Sequence, residues 1–192
     1  MTMDRSGNAW QSSSPHERPT VWVNRIPAEA TRLLRHRVLW PHKASPEVCV
    51  IDIDHAPHAI HLGAFVPAEV AKPWGIEVPG LDGKLVGACS LFDQHCQRVE
   101  VPWKEGMDMR LRVMGTLPEV RGWGAGGALI HRAAEETLAL GRQVLWCDAR
   151  QVAFGFYERL GFDYLNEIYD IPDIGPHRTM ALDLSSPPQR NS

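Results

Sequence analysis

Residues Met114 to Leu129 read MGTLPEVRGWGAGGAL, with glycines clustered between an apolar strand-like run and an amphipathic helix. Without side chains, glycines let the backbone turn tightly and bring several unpaired N–H groups to the positive end of a helix dipole. Such a group of amides binds phosphate. The segment therefore predicts a phosphate-binding loop, with an ordinary ligand-free turn as the alternative.

The position of this loop in the chain argues against the common nucleotide-binding folds. A dinucleotide-binding loop follows the first strand of its fold and is followed about 20 residues later by an acidic residue. Here Gly122 to Gly127 lie two-thirds of the way along a chain of 192 residues. The Gly-Lys-Ser/Thr ending of a P-loop is also missing from the sequence. Neither fold is favoured.

Hydrophobic periodicity on both sides of the loop predicts alternating strands and helices. Helices are expected at residues 28–39, ended by Pro41, at residues 126–140, ended by Gly141, and around residues 152–160. Strand-like runs occupy residues 48–53, 60–66, 85–92, 109–114, 144–147, 164–169 and 178–184. This order predicts an α/β or α+β domain in which a crossover helix joins two parallel strands.

Length and composition indicate one globular domain. Hydrophobic residues make up 44% of the chain, charged residues make up 22%, and the formal net charge is −3. We expect one domain over residues 20–184, between polar tails at 1–19 and 185–192 that we expect to be disordered.

The same composition limits the expected partners and location. Lys and Arg are scattered among acids, so we expect no nucleic-acid or membrane partner. No apolar signal-peptide run is present near the amino terminus, and the four cysteines are far apart without a CxxC pair. A cytoplasmic location is expected.

Two motifs give the chain a specific resemblance to a known family. Arg121, Gly124 and Gly126 match the motif Arg/Gln-x-x-Gly-x-Gly/Ala, and they follow a Pro-Glu-x-Arg-Gly entry. The second motif is GFYERLGF at residues 155–162. The sequence thereby resembles the GNAT superfamily of N-acetyltransferases over about residues 28–184, and its ending at 170–177 is similar to that of some uncharacterised bacterial branches.

The resemblance implies a fold and an activity. The fold would be a mixed, mostly antiparallel sheet with one splayed parallel pair, flanked by helices. The activity would be transfer of an acetyl group from acetyl-CoA to a primary amine, by direct attack in a ternary complex and without a nucleophilic cysteine. The alternative is a non-catalytic acyl-CoA-binding or sensor domain that keeps the loop but has no working acceptor site.

The resemblance also assigns roles to individual residues. Main-chain amides of the loop would bind the CoA pyrophosphate; they belong to Arg121, Gly122, Trp123, Gly124, Ala125, Gly126 and Gly127. The pantetheine would lie along Met114, Gly115 and Thr116. Trp123 replaces the Arg or Lys that is more common there, and Arg150 replaces Asn in many relatives, so the sequence leaves the cofactor contact of Arg150 open.

Three residues are the catalytic candidates. The N–H of Met114, or of its neighbour, would polarise the thioester carbonyl. Tyr157 would contact the cofactor and protonate the departing thiolate, with core packing as its alternative role. His177 follows a Gly-Pro turn near the expected acceptor entrance, where a purely structural hydrogen bond is the alternative.

Several other side chains invite a functional interpretation that the sequence does not favour. The histidine triplet His55, His58 and His61 is three-residue spaced in a Pro-containing loop, so a solvated loop is preferred and no metal is expected. Arg35 and Arg37 on the first helix could bind an acceptor carboxylate, but an exposed arginine face is usually only solvated. Three tryptophans could line an acceptor cleft or pack loops onto the core: Trp40, Trp74 and Trp103.

The sequence leaves the acceptor open. A polyamine, an amino acid, an antibiotic or a protein amino group would each fit the chemistry, so the partner is a small-molecule amine or a protein amino group. A homodimer through exposed sheet edges is the expected assembly.

Overall fold

The computed structural model describes residues 18–172 and 174–185, which form one mixed sheet flanked by helices. The strands are β1 (Trp22–Arg25), β2 (Ile60–Val66), β3 (Lys84–Phe92), β4 (Asp108–Thr116), β5 (Val144–Arg150), β6 (Asp163–Tyr164), β7 (Tyr169–Ile171) and β8 (Gly175–Asp183). The helices are α1 (Ala28–Val38), α2 (Ala125–Ala139) and α3 (Phe154–Glu158). Strand order across the sheet is β1-β2-β3-β4-β5-β8-β6, and β7 pairs with β8.

Helices α1 and α2 cover opposite faces of the central strands. A Cβ placed on Gly115 of β4 would lie 2.8 Å from Val38 of α1. The next residue, Thr116, faces Gly87 of β3. A Cβ placed on Gly87 would lie 3.2 Å from Leu129 of α2. Since neighbouring residues of a strand point to opposite faces, the sheet is enclosed on both sides. This explains why every residue of β2 and β3 is buried.

The parallel pair in the sheet opens toward one end. Strands β4 and β5 pair only over residues 108–110 and 144–146, so the following parts of the two strands diverge. All other strand pairs are antiparallel. A mostly antiparallel sheet with one splayed parallel pair is therefore confirmed.

Strand β4 also carries a β-bulge where it leaves β5. Ala88 of β3 pairs with Gly115 and Ser90 pairs with Arg112, so β4 has one more residue than β3 over this interval. Val113, inside the interval, has a φ of 46°, which is rare for a β-branched residue. The bulge leaves Val113 and Met114 outside the ladder with β3.

Most expected elements are confirmed, and one strand was wrong. Residues 48–53 form no strand: a 3₁₀ turn at Pro46–Val48 leads into further turns. Two of the apolar side chains on which the strand was predicted face solvent, since Val48 is 50% exposed and Val50 is 41% exposed. Strand β1 was missed because it is a four-residue edge strand with no buried residue. The strand expected at 164–169 is not continuous: the range contains only the last residue of β6 and the first residue of β7.

The expected tails fall almost entirely outside the described residues, so their disorder and the domain limits stay predictions. Within residues 18–172 and 174–185, no helix is both long enough and apolar enough to cross a membrane.

Candidate active site

The glycine-rich loop joins β4 to α2 in two turns. A 3₁₀ turn at Pro118–Val120 is followed by Gly122 with a φ of 79° and by Gly124 with a φ of 88°. Both values lie in the left-handed region that favours glycine. Gly124 is the N-cap of α2, and a Cβ on it would meet no other atom within 4 Å. Its conformation, rather than crowding, therefore requires glycine.

Several amides of this loop have no partner within the described part of the chain. The first amide of α2 that bonds within the helix region is that of Ala128, which donates to Gly124 O at 2.9 Å. Five earlier amides donate to no backbone oxygen, and they belong to Gly122, Gly124, Ala125, Gly126 and Gly127. The amides of Arg121 and Trp123 instead donate to Pro118 O and Val120 O, each within the turn. The set of amides expected to bind phosphate is therefore smaller than residues 121–127.

The divergence of β4 and β5 opens a cleft of about 470 Å³. Met114 from β4, Arg150 from β5, Tyr157 from α3 and His177 from β8 all line it. The structure thus brings all three catalytic candidates together with one expected cofactor contact. Gly115 and Thr116 continue β4 from the cleft toward the glycine-rich loop.

Tyr157 lies at the floor of the cleft beside the bulge. Its hydroxyl donates to Met114 Sδ at 3.6 Å, and its ring packs edge-on against Phe156 and Phe162. Burial raises the pKa of Tyr157 well above its usual value, and nearby Cys147 adds to the effect. The phenol therefore keeps its proton at neutral pH.

His177 is a buried residue of the cleft lining, where β8 pairs with β5 and β7. Its Nδ1 is 2.7 Å from Gly175 O. A carbonyl oxygen only accepts hydrogen bonds, so Nδ1 carries the hydrogen and Nε2 of the neutral ring keeps its lone pair. Nε2 has no hydrogen-bond partner within the described part of the chain.

Asp148 of β5 forms an ion cluster in the same cleft that sequence reasoning missed. Arg110 donates to Asp148 Oδ2 at 2.5 Å, and Tyr169 donates to Oδ1 at 2.5 Å. Arg98 lies 3.3 Å away. Burial alone would raise the pKa of Asp148, but the bond from Tyr169 and the charges of both arginines outweigh it and lower that pKa. Asp148 is thus an ionised carboxylate that is already bonded to its donors, and it is not suited to accept a proton.

A second buried ion pair joins α1 to the loop before β2. Arg35 of α1 is fully buried and donates to both oxygens of Asp54, at 2.6 and 2.8 Å, and to Ser90 Oγ at 3.0 Å. His61 joins this network through Ser90 Oγ at 2.8 Å and Asp54 O at 2.8 Å. Arg35 therefore faces the protein interior and is not available to an acceptor.

The remaining side chains singled out in the sequence are dispersed. His55 is exposed near Glu29, whereas His61 is buried in the network just described. Exposed Arg37 donates to Trp74 O at 2.8 Å. Trp74 packs edge-on against Trp123 of the glycine-rich loop, and Trp40 lines the cleft. Trp103 packs against a separate small apolar cluster around Trp146.

The four cysteines are buried free thiols. Cys147 lines the cleft, where burial raises the pKa of its thiol above the usual value. Burial likewise raises the pKa of Cys89 to about 12. A protonated thiol is a poor nucleophile, so neither group supports a covalent acyl intermediate.

The site thus combines a sheet that opens between two parallel strands with free amides at the start of the helix that joins them. Residues 74–164 match the family model of the acetyltransferase (GNAT) domain. The chain is 36% identical over 158 residues to an uncharacterized N-acetyltransferase, YitI, of Bacillus subtilis (strain 168), covering 82% of this chain and 93% of that protein. The chain therefore belongs to the GNAT family of N-acetyltransferases and is an acyltransferase.

Solved structures agree on the fold. A putative N-acetyltransferase from Lactobacillus plantarum has a TM-score of 0.62 at 20% identity, covering 85% of this chain and 98% of that one. An aminoglycoside 6'-N-acetyltransferase complexed with coenzyme A has a TM-score of 0.54 at 14% identity, covering 86% and 98%.

Proposed function

We propose that the protein transfers an acetyl group from acetyl-CoA to a primary amine by direct attack in a ternary complex. The observation that carries this proposal is that β4 connects two features: its unpaired bulge at Val113 and Met114 lines the cleft, and the chain then leads through Gly115 and Thr116 toward the free amides of the glycine-rich loop. The free amides would bind a pyrophosphate and the bulge would bind an extended amide chain as an added strand does.

The residues present fit acetyl-CoA as the donor. Five loop amides lack partners within the described part of the chain, and a Cβ on Gly122, Gly124 or Gly127 would meet nothing within 4 Å. This leaves open space where the phosphates would lie. When bound, acetyl-CoA supplies the activated thioester. Arg150 is exposed and lines the cleft, which supports a contact with the same ligand.

Met114 and Tyr157 have separate roles at the thioester. The N–H of Met114, freed by the bulge, donates to the carbonyl oxygen as that oxygen gains negative charge. Tyr157 donates its hydroxyl proton to the departing sulfur, since its pKa is held well above the usual value and the phenol is protonated.

His177 is the base that this arrangement favours. An acceptor ammonium must lose a proton before it can attack, and Nε2 of His177 carries a lone pair in a cleft wall. Asp148 is the other candidate side chain, but its four donors and lowered pKa make it a weak base. His177→Asn should keep a donor for Gly175 O and remove the base, lowering kcat by about 10²- to 10⁴-fold.

Release of free thiol from acetyl-CoA across a broad panel of primary amines tests the proposal. Steady release that depends on one class of amine is expected. Tight binding of acetyl-CoA with no release for any amine would contradict catalysis and would leave the non-catalytic binding domain as the better description.

A further inference from the structure

The cleft is more basic than the chain that forms it. Its described lining contains four arginines and a single carboxylate, whereas the whole chain has a net charge of −3. The carboxylate is Asp148, and the arginines are Arg98, Arg110, Arg112 and Arg150. A cleft lined by one sign of charge concentrates ligands of the opposite sign.

Of the four cleft arginines, Arg150 and Arg112 make no ion pair within the described residues; Arg150 is exposed, whereas Arg112 is half-buried. Both acids nearest to it are already bonded to other arginines, Asp148 to Arg110 and Asp54 to Arg35. Within the described residues, Arg112 itself makes no hydrogen bond and no ion pair, although it is half-buried. Burial lowers the pKa of its guanidinium, but an arginine does not lose its proton in a protein. Binding of an anion would therefore compensate the partial desolvation of this charge.

The position of Arg112 separates this anion from the phosphates of CoA. Along β4, Gly115 and Thr116 lead from Met114 toward the glycine-rich loop, where the pyrophosphate is proposed to bind. Arg112 lies on the other side of Met114, beyond the proposed thioester position. A ligand at Arg112 is therefore on the acceptor side of the reacting carbon.

We infer that the acceptor carries a carboxylate close to its reacting amine, as a small amino acid does, and that Arg112 binds that carboxylate. The inference rests on the proposed acetyltransferase function. Arg112 and Met114 are two residues apart, which is about 7 Å on a strand and less across a bulge. This short separation along β4 favours an acceptor whose carboxylate and amine are only a few bonds apart. Polyamines and polycationic antibiotics should be poor acceptors, because the cleft arginines repel them.

The test compares free amino acids with the carboxamides of the same amino acids, by thiol release from acetyl-CoA. Rates are expressed per concentration of unprotonated amine, since the two series differ in amine basicity. The wild-type protein should favour the carboxylates by at least about tenfold in kcat/KM. Arg112→Met should lower kcat/KM for the carboxylates by about 10- to 100-fold and for the carboxamides by less than about threefold.

Arg37→Met is the matched control, because Arg37 is exposed and does not line the cleft. It should leave both series unchanged. A binding measurement needs no turnover: with CoA present, N-acetylated amino acids should raise the Tm of the wild type and not that of Arg112→Met.

Two kinds of result would overturn the inference, and they are distinguishable. Equal wild-type kcat/KM for carboxylates and carboxamides, or an equal loss for both in Arg112→Met, would remove the carboxylate site and leave the acetyltransferase function standing. No thiol release from any amine, together with no Tm shift by acetylated amino acids, would overturn the proposed function and this inference with it.

Discussion

Gly124 is held in a left-handed conformation at the start of α2, with a φ of 88° and open space in front of it. Gly124→Val should lower CoA affinity at least tenfold, because the added side chain disfavours this backbone and pushes it from the phosphates. The measurement is the CoA-dependent rise in Tm.

Gly141, just beyond the other end of α2, provides a matched control for Gly124. It has a φ of 73° and equally open surroundings. Gly141→Val should destabilise the fold to a similar degree, about 1–3 kcal/mol, with CoA affinity unchanged. Equal CoA affinity in folded Gly124→Val and Gly141→Val would contradict the assignment of phosphate binding to the loop.

Tyr157→Phe removes one hydroxyl and keeps the packing against Phe156 and Phe162. We expect kcat to fall by about 100-fold, the low end for general acid catalysis, since a thiolate is already a tolerable leaving group. Affinity for acetyl-CoA should change by no more than a few-fold. Burial raises the pKa of Tyr157 well above its usual value, so no alkaline fall in rate from this phenol is expected below about pH 10.

Tyr164 serves as the control for Tyr157. It is a half-buried tyrosine that packs on Phe154 and Arg178 and does not line the cleft. Tyr164→Phe should leave kcat unchanged. If Tyr157→Phe also kept wild-type kcat, the hydroxyl would have no part in the chemistry and solvent would be the proton donor.

At the scale of elements, the Arg35–Asp54 pair joins α1 to the loop before β2. Arg35→Met alone should lower the free energy of unfolding by about 3–5 kcal/mol, because it leaves Asp54 as a buried, unpaired charge. The double variant Arg35→Met/Asp54→Asn should cost less than the sum of the single changes. Arg37→Met, on the exposed side of α1, should stay within about 0.5 kcal/mol of wild type. Additive losses in denaturant unfolding would show that the pair is not coupled.

The same pair predicts the acid stability of the protein. Burial alone would raise the pKa of Asp54, but hydrogen bonds from Arg35 and the Ile51 amide outweigh it and lower that pKa. A carboxyl with a lowered folded pKa stabilises the fold above its unfolded pKa of about 4, and this contribution is lost as pH falls through the folded pKa. Unfolding free energy should therefore drop below about pH 4, and less steeply in Asp54→Asn. Parallel pH dependence in both proteins would contradict this assignment.

The elements also show what sequence could and could not predict. The glycine-rich loop and Tyr157 lie in local motifs, so their chemistry is readable from neighbouring residues. Asp148 and Arg110 meet only because β4 pairs with β5 in one register, which no local pattern specifies. Arg35 was expected on a solvated helix face because its partner, Asp54, follows 19 residues later in a loop.

At the scale of the whole molecule, catalysis should not depend on a metal ion. Polarisation of the thioester carbonyl is assigned to a backbone amide of the β4 bulge, so no Lewis acid is required. Thiol release should keep its wild-type rate after exhaustive dialysis against EDTA. Loss of activity that zinc restores would instead implicate the histidines around His61.

Strand β8 gives the order of synthesis a physical consequence. It follows both sequence motifs in the chain, covers β5 along residues 144–150 and supplies His177 to the cleft. Before β8 has emerged from the ribosome, β5 lacks its antiparallel partner and keeps an open, apolar edge. Until the last strand emerges, the nascent chain exposes an edge prone to association and lacks one wall of its cleft. Protection from aggregation and the ability to hold an acceptor thus arrive together, with the same nine residues.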